Sequence, residues 1–187
     1  MNWPSAEMLG LLYGLSEAGL GLLKRSKAKS QETDRSSLRL LWITILCSVA
    51  VAILSARLIP EAASGLLAAL YVPGVAIFAL GLLLRWYAIF YLGRFFTVDV
   101  AIAADHRVID SGPYRWVRHP SYTGALLAFL GFGICLGNWI SLLVLMVPIT
   151  AAFLWRIVVE EAALTRALGA RYREYMARTR RLVPFLL

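Results

Sequence analysis

Five apolar runs, at 5–23, 38–58, 65–92, 122–136 and 139–155, dominate this sequence. Most of them approach the roughly 20 residues that a helix needs to cross the hydrocarbon core of a bilayer. Inside a membrane there is no water for backbone amides and carbonyls, so each run must satisfy them within itself. None shows the polar alternation of a barrel strand, which leaves the α-helix as the economical solution. An apolar content of 60% and a mean hydropathy of +0.70 exclude an ordinary soluble domain. The expected fold is all-α, a polytopic integral membrane helical bundle. It would be a single membrane domain, 1–187, with about five transmembrane helices and a cytoplasmic C-terminal helix.

The interruptions between runs carry the topology. Ile59-Pro60-Glu61 stops the second run, because proline lacks a backbone donor and pushes the preceding residue out of helix. The third run is long enough to span with tilt, with a kink expected at Pro73-Gly74. The fourth is short and forms a hairpin with the fifth around Gly137-Asn138. Segment 1–23 lacks the basic leader and small-residue cleavage site of a secretory signal, so it is expected to be retained. Cations gather in the 24–37 loop (Lys24, Arg25, Lys27, Lys29, Arg35), in the 94–118 segment and in the tail. The positive-inside rule assigns these regions to the cytoplasm, giving an N-terminus outside, a cytoplasmic C-terminus and a site facing the cytoplasm. The same clustering makes topology, not nucleic acid, the reading of the net charge of +8. Cys47 and Cys135 fall inside apolar runs without metal-ligand spacing, so neither a disulfide framework nor a metal site is expected.

Two polar constellations stand out. Ser111-Gly-Pro-Tyr-Arg-Trp-Val-Arg-His-Pro-Ser-Tyr-Thr-Gly124 leads into the fourth helix. Gly112-Pro113 reads as a turn, Pro120 suits a first helical position, and His119 falls at the cap. A helix start there would offer free backbone donors to a carboxylate or phosphate. The competing reading is an interfacial belt of Arg, Trp and Tyr. The second constellation is Arg156, Glu160, Leu164, Leu168 and Tyr172, whose i, i+4 spacing sets them on one helical stripe, with Glu161 about 100° away. Its competing reading is a solvated ion pair worth about 0.3–0.5 kcal/mol. Glu17 and Arg85 lie within spans and are expected either to pair or, for Arg85, to snorkel. Gly10 and Gly14, and Gly131-Phe132-Gly133, read as helix-packing surfaces, the latter without the strand context of a dinucleotide fingerprint.

Arg118-His-Pro-Ser-Tyr-Thr-Gly124, Glu160-Glu161 with Leu164, and Gly169 with Tyr172 and Tyr175 before Arg181-Leu-Val-Pro184 together resemble the isoprenylcysteine carboxyl methyltransferase family and related phospholipid methyltransferases, over about residues 81–187. The resemblance implies S-adenosyl-L-methionine as cofactor, in a pocket formed by Asp99, His106, Arg107, Val108, Ile109, Tyr114, His119, Pro120, Ser121, Tyr122 and Glu160. It implies catalytic roles for Arg156, His119 and Glu160, with Arg156 facing the substrate. The expected partners are a lipophilic small-molecule or lipid-linked acceptor and membrane lipids, with no nucleic acid and no metal. A carboxylate acceptor, such as that of a prenylcysteine, is ionised near neutral pH and needs only orientation by Arg156. An amine or thiol would instead require His119, Glu160 or Glu161 as base. Two alternatives stand beside this reading: a sterol-reductase-like enzyme using NADPH, and a non-catalytic scaffold whose basic loops hold anionic lipid.

Overall fold

Among the residues described by the computed structural model, 4–23, 32–96 and 107–184 (32–35 by backbone alone), the chain forms seven α-helices and no strand beyond two isolated bridges. They are α1 (Ala6–Leu23), α2 (Glu32–Leu58), α3 (Gly65–Ala69), α4 (Tyr71–Leu92), α5 (Pro120–Cys135), α6 (Trp139–Leu168) and α7 (Ala170–Arg178). Three segments, Ser36–Leu58, Tyr71–Phe95 and Trp139–Leu168, are long and apolar enough to cross a membrane. Leu11, Leu15, Leu46, Leu80, Leu83, Leu143 and Val147 are 58–67% exposed on the outer faces of α1, α2, α4 and α6. Water would penalise such a surface and lipid does not, so the chain is an integral membrane protein.

Small residues let α4 and α5 pack backbone against backbone. A Cβ added to Gly81 would lie 2.4 Å from Ala128 N, one added to Gly124 2.5 Å from Arg85 N, and one added to Gly131 2.4 Å from Gly74 O. No side chain larger than hydrogen fits these positions without separating the helices. α5 thereby becomes the central helix, flanked by α1, α3, α4 and α6. Tyr13 of α1 meets Phe129 with ring centroids 4.5 Å apart, and Gly10 faces the Phe132 ring. Gly14 has nothing within 4 Å of its added Cβ, so only half of the Gly10/Gly14 pair packs inward. α2 lies along α6, joined where Ser141 Oγ donates to Ala52 O at 2.8 Å. At the end of the bundle away from the candidate site, buried Asn138 caps α6 by accepting from Ser141 N and donates to Ile59 O at 2.9 Å.

Two helix limits differ from those read in the sequence. The run 65–92 is not one helix kinked at Pro73-Gly74; it is divided at Leu70 into α3 and α4. Pro73 cannot donate to residue 69 and its ring crowds that carbonyl, so the break falls before the proline, which then sits harmlessly in the first turn of α4. The helix expected to continue past 155 as far as Tyr172 stops sooner: α6 extends to Leu168 and carries Arg156, Glu160 and Glu161 on its final turns. Tyr172 is not on that helix: Gly169, at φ 60°, ends α6 and turns the chain into α7.

Candidate functional site

Pro120 fixes the first turn of α5 without forfeiting a hydrogen bond, and His119 stands at its cap. The buried His119 ring stacks flat on Tyr122, with centroids 5.4 Å apart and planes 4° from parallel. It sits between two carboxylates of α6, with Nδ1 3.9 Å from Glu160 Oε2 and Nε2 3.4 Å from Glu161 Oε1. These neighbouring glutamates serve different ends, because residues one apart on a helix point about 100° apart. Glu160, with its side chain 25% exposed, opens toward a cavity and accepts the Tyr122 hydroxyl at 2.7 Å. Glu161, at 4%, is enclosed by cations and accepts from Arg118 Nε at 2.7 Å and from Arg181 at 3.0 Å. A buried carboxylate with this many charge-assisted partners ties α6, the start of α5 and the C-terminal tail together.

Residues 179–182 run beside 116–119 in a short parallel pairing. Arg118 N donates to Arg180 O at 2.7 Å, His119 N to Arg181 O at 3.0 Å, and Arg180 N to Trp116 O at 3.3 Å. Thr123 Oγ1 donates to Leu182 O at 2.7 Å, and the Arg118 guanidinium also reaches the carbonyls of Met176 and Thr179. This strap narrows the expectation that the start of α5 offers free backbone donors to a ligand. The tail takes the His119 N–H, Pro120 has none to give, and Tyr122 N and Thr123 N turn back onto His119 O, which leaves the N–H of Ser121.

The side chains converge on one cavity of about 830 Å³, counted to its open mouth, at the common end of α4, α5 and α6. Arg107, Val108, Ile109, Tyr114, His119, Ser121, Tyr122, Arg156 and Glu160 all line it. Pro120 is fully buried behind the wall, and Asp99 and His106 lie outside the described residues. Leu164, Leu168 and Tyr172 also line the cavity, so the turn at Gly169 returns Tyr172 to the place the uninterrupted stripe was expected to put it. Sequence reasoning missed Leu92, Phe95 and Phe96 as lining residues, and it missed the role of Glu161. The signal for Phe95-Phe96 was an aromatic doublet where an apolar run turns polar. Tyr114 donates to Ala88 O at 3.1 Å and Tyr175 to Tyr114 O at 2.7 Å, so both hydroxyls are structural ties. Burial, reinforced by the Glu160 carboxylate, holds the Tyr114 and Tyr172 phenols above their ordinary value, and burial does the same for Tyr175.

A second chamber of about 450 Å³, counted to its open mouth, adjoins the first and was not read from the sequence. Phe96, Tyr122 and Arg156 line both and form the partition. The rest of its wall is mostly apolar, with Leu20, Leu38, Leu41, Trp42, Ile45 and Phe153. Arg156 is 1% exposed and donates from Nη1 to Ser37 Oγ of α2 at 2.6 Å. The chamber's charged edge is the expected Glu17–Arg85 pair, a two-point contact at 2.5 and 2.7 Å, with Arg85 also donating to Ser121 O at 3.1 Å.

Residues 74–166 match the model of the isoprenylcysteine carboxyl methyltransferase family. Among curated proteins, the chain is 36% identical over 115 residues to protein-S-isoprenylcysteine O-methyltransferase B of Arabidopsis thaliana, covering 60% of this chain and 58% of that one. It is 35% identical over 109 residues to the Schizosaccharomyces pombe protein-S-isoprenylcysteine O-methyltransferase, covering 57% and 46%. A solved structure of the eukaryotic intramembrane Ras methyltransferase ICMT superposes with a TM-score of 0.59 at 28% identity, covering 77% of this chain and 52% of that one. The chain therefore spans about half the length of the relatives it matches. Its helix pairing, its His119–Glu160–Glu161 cluster and these matches lead to one conclusion: over residues 74–166 the chain is similar to the isoprenylcysteine carboxyl methyltransferase family.

Proposed function

We propose that the chain transfers a methyl group from S-adenosyl-L-methionine to the carboxylate of a lipid-linked acceptor of the prenylcysteine class. The carrying observation is the partition: one polar, aromatic cavity and one largely apolar chamber meet at Phe96, Tyr122 and Arg156. The relatives' names supply the acceptor class, a protein-S-isoprenylcysteine. The orientation that accompanies this reading has five crossings, with α1 and the 16-residue α5 completing the three longer spans, an outside N-terminus and a site facing the cytoplasm.

The donor set suits the cofactor. Arg107 offers a cation for a carboxylate, Glu160 an anion for a cationic centre, and Phe95, Phe96, Tyr114 and Tyr172 ring faces for a purine. When bound, the cofactor supplies an electrophilic methyl on a sulfonium; its carbon–sulfur bond breaks as a carbon–oxygen bond to the acceptor forms. Arg156, held on the α2 side by Ser37, orients the acceptor carboxylate at the partition. Glu160 is steered by the Tyr122 hydroxyl and His119, which aims its side chain at the cofactor cavity. A carboxylate acceptor is already ionised near neutral pH, so no base is required and positioning carries the rate.

The test is calorimetric titration of the detergent-purified chain with S-adenosylhomocysteine, paired with methylation of a farnesylcysteine analogue. Micromolar binding that Glu160→Ala abolishes, with turnover that Arg156→Ala abolishes while cofactor binding persists, supports the reading. Binding of NADPH in its place, or of neither ligand by folded protein, overturns it.

A further inference from the structure

A third depression lies outside the site described above, on the far side of the Tyr114–Tyr175 tie. Asp110, Ser111, Arg115, Trp116, Arg178 and Arg180 form its rim. Its charge is lopsided. Asp110 and Arg178 pair at 3.3 Å on the exposed surface, whereas Arg115 and Arg180 have no carboxylate partner among the described residues, leaving a net of two positive charges. The Arg115 guanidinium lies 5.4 Å from the centre of the Trp116 ring, which is itself 55% exposed. Ser111 accepts the Tyr91 hydroxyl at 3.0 Å, so its own O–H is available to a ligand.

The depth of this groove identifies what fills it. Tyr91 belongs to the last turns of an apolar span ending at Phe95, and Trp116 precedes the start of α5 by four residues. Exposed Tyr87, Tyr91 and Trp116 mark an aromatic belt at the level where hydrocarbon gives way to headgroups. Guanidiniums at that level face lipid phosphates, not bulk solvent. We infer that the groove rimmed by Arg115, Trp116, Arg178 and Arg180 is a docking site for the phosphate headgroup of an anionic phospholipid of the surrounding membrane. Two unmatched arginines select a lipid of net negative charge over a zwitterionic one, whose ammonium they would repel. The inference needs only a membrane protein and is independent of the methyltransferase reading.

The full chain, purified in a neutral detergent, is titrated with phosphatidylglycerol or phosphatidylcholine in mixed micelles, and its melting temperature is followed. Phosphatidylglycerol is expected to raise it saturably and phosphatidylcholine is not. Each headgroup-level cation contributes about fivefold in affinity, so Arg115→Gln with Arg180→Gln raises the half-saturating mole fraction about 25-fold. Arg166→Gln with Arg173→Gln removes two equally exposed charges elsewhere and is expected to leave it unchanged. Equal loss in that control would reduce the effect to net charge and overturn the site. So would equal stabilisation by the two lipids, a full shift produced by inorganic phosphate alone at the same concentration, or displacement of the lipid by a short acidic peptide that binds more tightly.

Discussion

The Glu17–Arg85 pair gives the sharpest energetic prediction. Both side chains are at most 8% exposed, the carboxylate meets the guanidinium at two points, and the pair joins α1 to α4 beside the inner chamber. Removing one partner strands a charge in a low-dielectric interior and is expected to cost about 3–5 kcal/mol. At roughly 2–4 °C per kcal/mol for a chain of this size, Arg85→Met should lower the melting temperature by roughly 6–20 °C. Glu17→Leu should cost somewhat less, because the Ser121 carbonyl still accepts from the arginine. Combining Glu17→Leu with Arg85→Met removes both charges and is expected to be no worse than the milder single variant, since packed apolar pairs commonly replace buried ion pairs without loss. Thermal unfolding of the four proteins in one detergent closes the cycle. Additive losses, with coupling below about 0.5 kcal/mol, would refute the claim that each charge is there for the other.

Other perturbations follow from the same geometry. Glu161→Ala leaves Arg118 and His119 without their buried acceptor and should cost about 3–5 kcal/mol, read by thermal unfolding, together with weakened S-adenosylhomocysteine binding in a calorimeter. Gly124→Leu forces α4 and α5 apart and should destabilise by about 1–3 kcal/mol or more, whereas Gly14→Leu, into open space, should stay within about 0.5 kcal/mol. Gly169→Ala places a side chain at φ 60° and should lower stability by about 1 kcal/mol while loosening α7 over the cavity, measured as increased proteolysis of the tail. The raised phenols of Tyr114, Tyr172 and Tyr175 stay neutral when folded, so their contribution is complete below the unfolded value of about 10 and lost above it. The melting temperature should therefore be insensitive to these groups from pH 7 to about 9 and fall beyond about 10.

Long apolar runs made the helices legible, because lipid leaves the backbone no other way to bond itself. The Glu17–Arg85 contact was legible for a related reason, since ionisable residues within spans must find partners. The break at Leu70 was displaced by three residues because a proline disturbs the turn before it and not the one it occupies. The cavity lining was largely recoverable from the motif residues between 107 and 122 and from Arg156 and Glu160. Phe95 and Phe96 escaped because an aromatic doublet at the end of a span reads equally as an interfacial anchor. The strap escaped for a deeper reason: it is a set of backbone hydrogen bonds between segments about sixty residues apart, and such pairings leave no periodic mark on either.

That strap also fixes a sequence in time. Residues 116–119 are made well before 179–182, and at about 5–20 residues per second roughly 3–12 s separate the two on the ribosome. During that interval α4 and α5 can already have met across their glycines, while Arg118 and His119 still await their carbonyl partners and Glu161 its second arginine. Synthesis of residues 179–182 is thus the last step in assembling the strap, and only then do Arg118 and His119 gain the carbonyl partners that fix the start of α5.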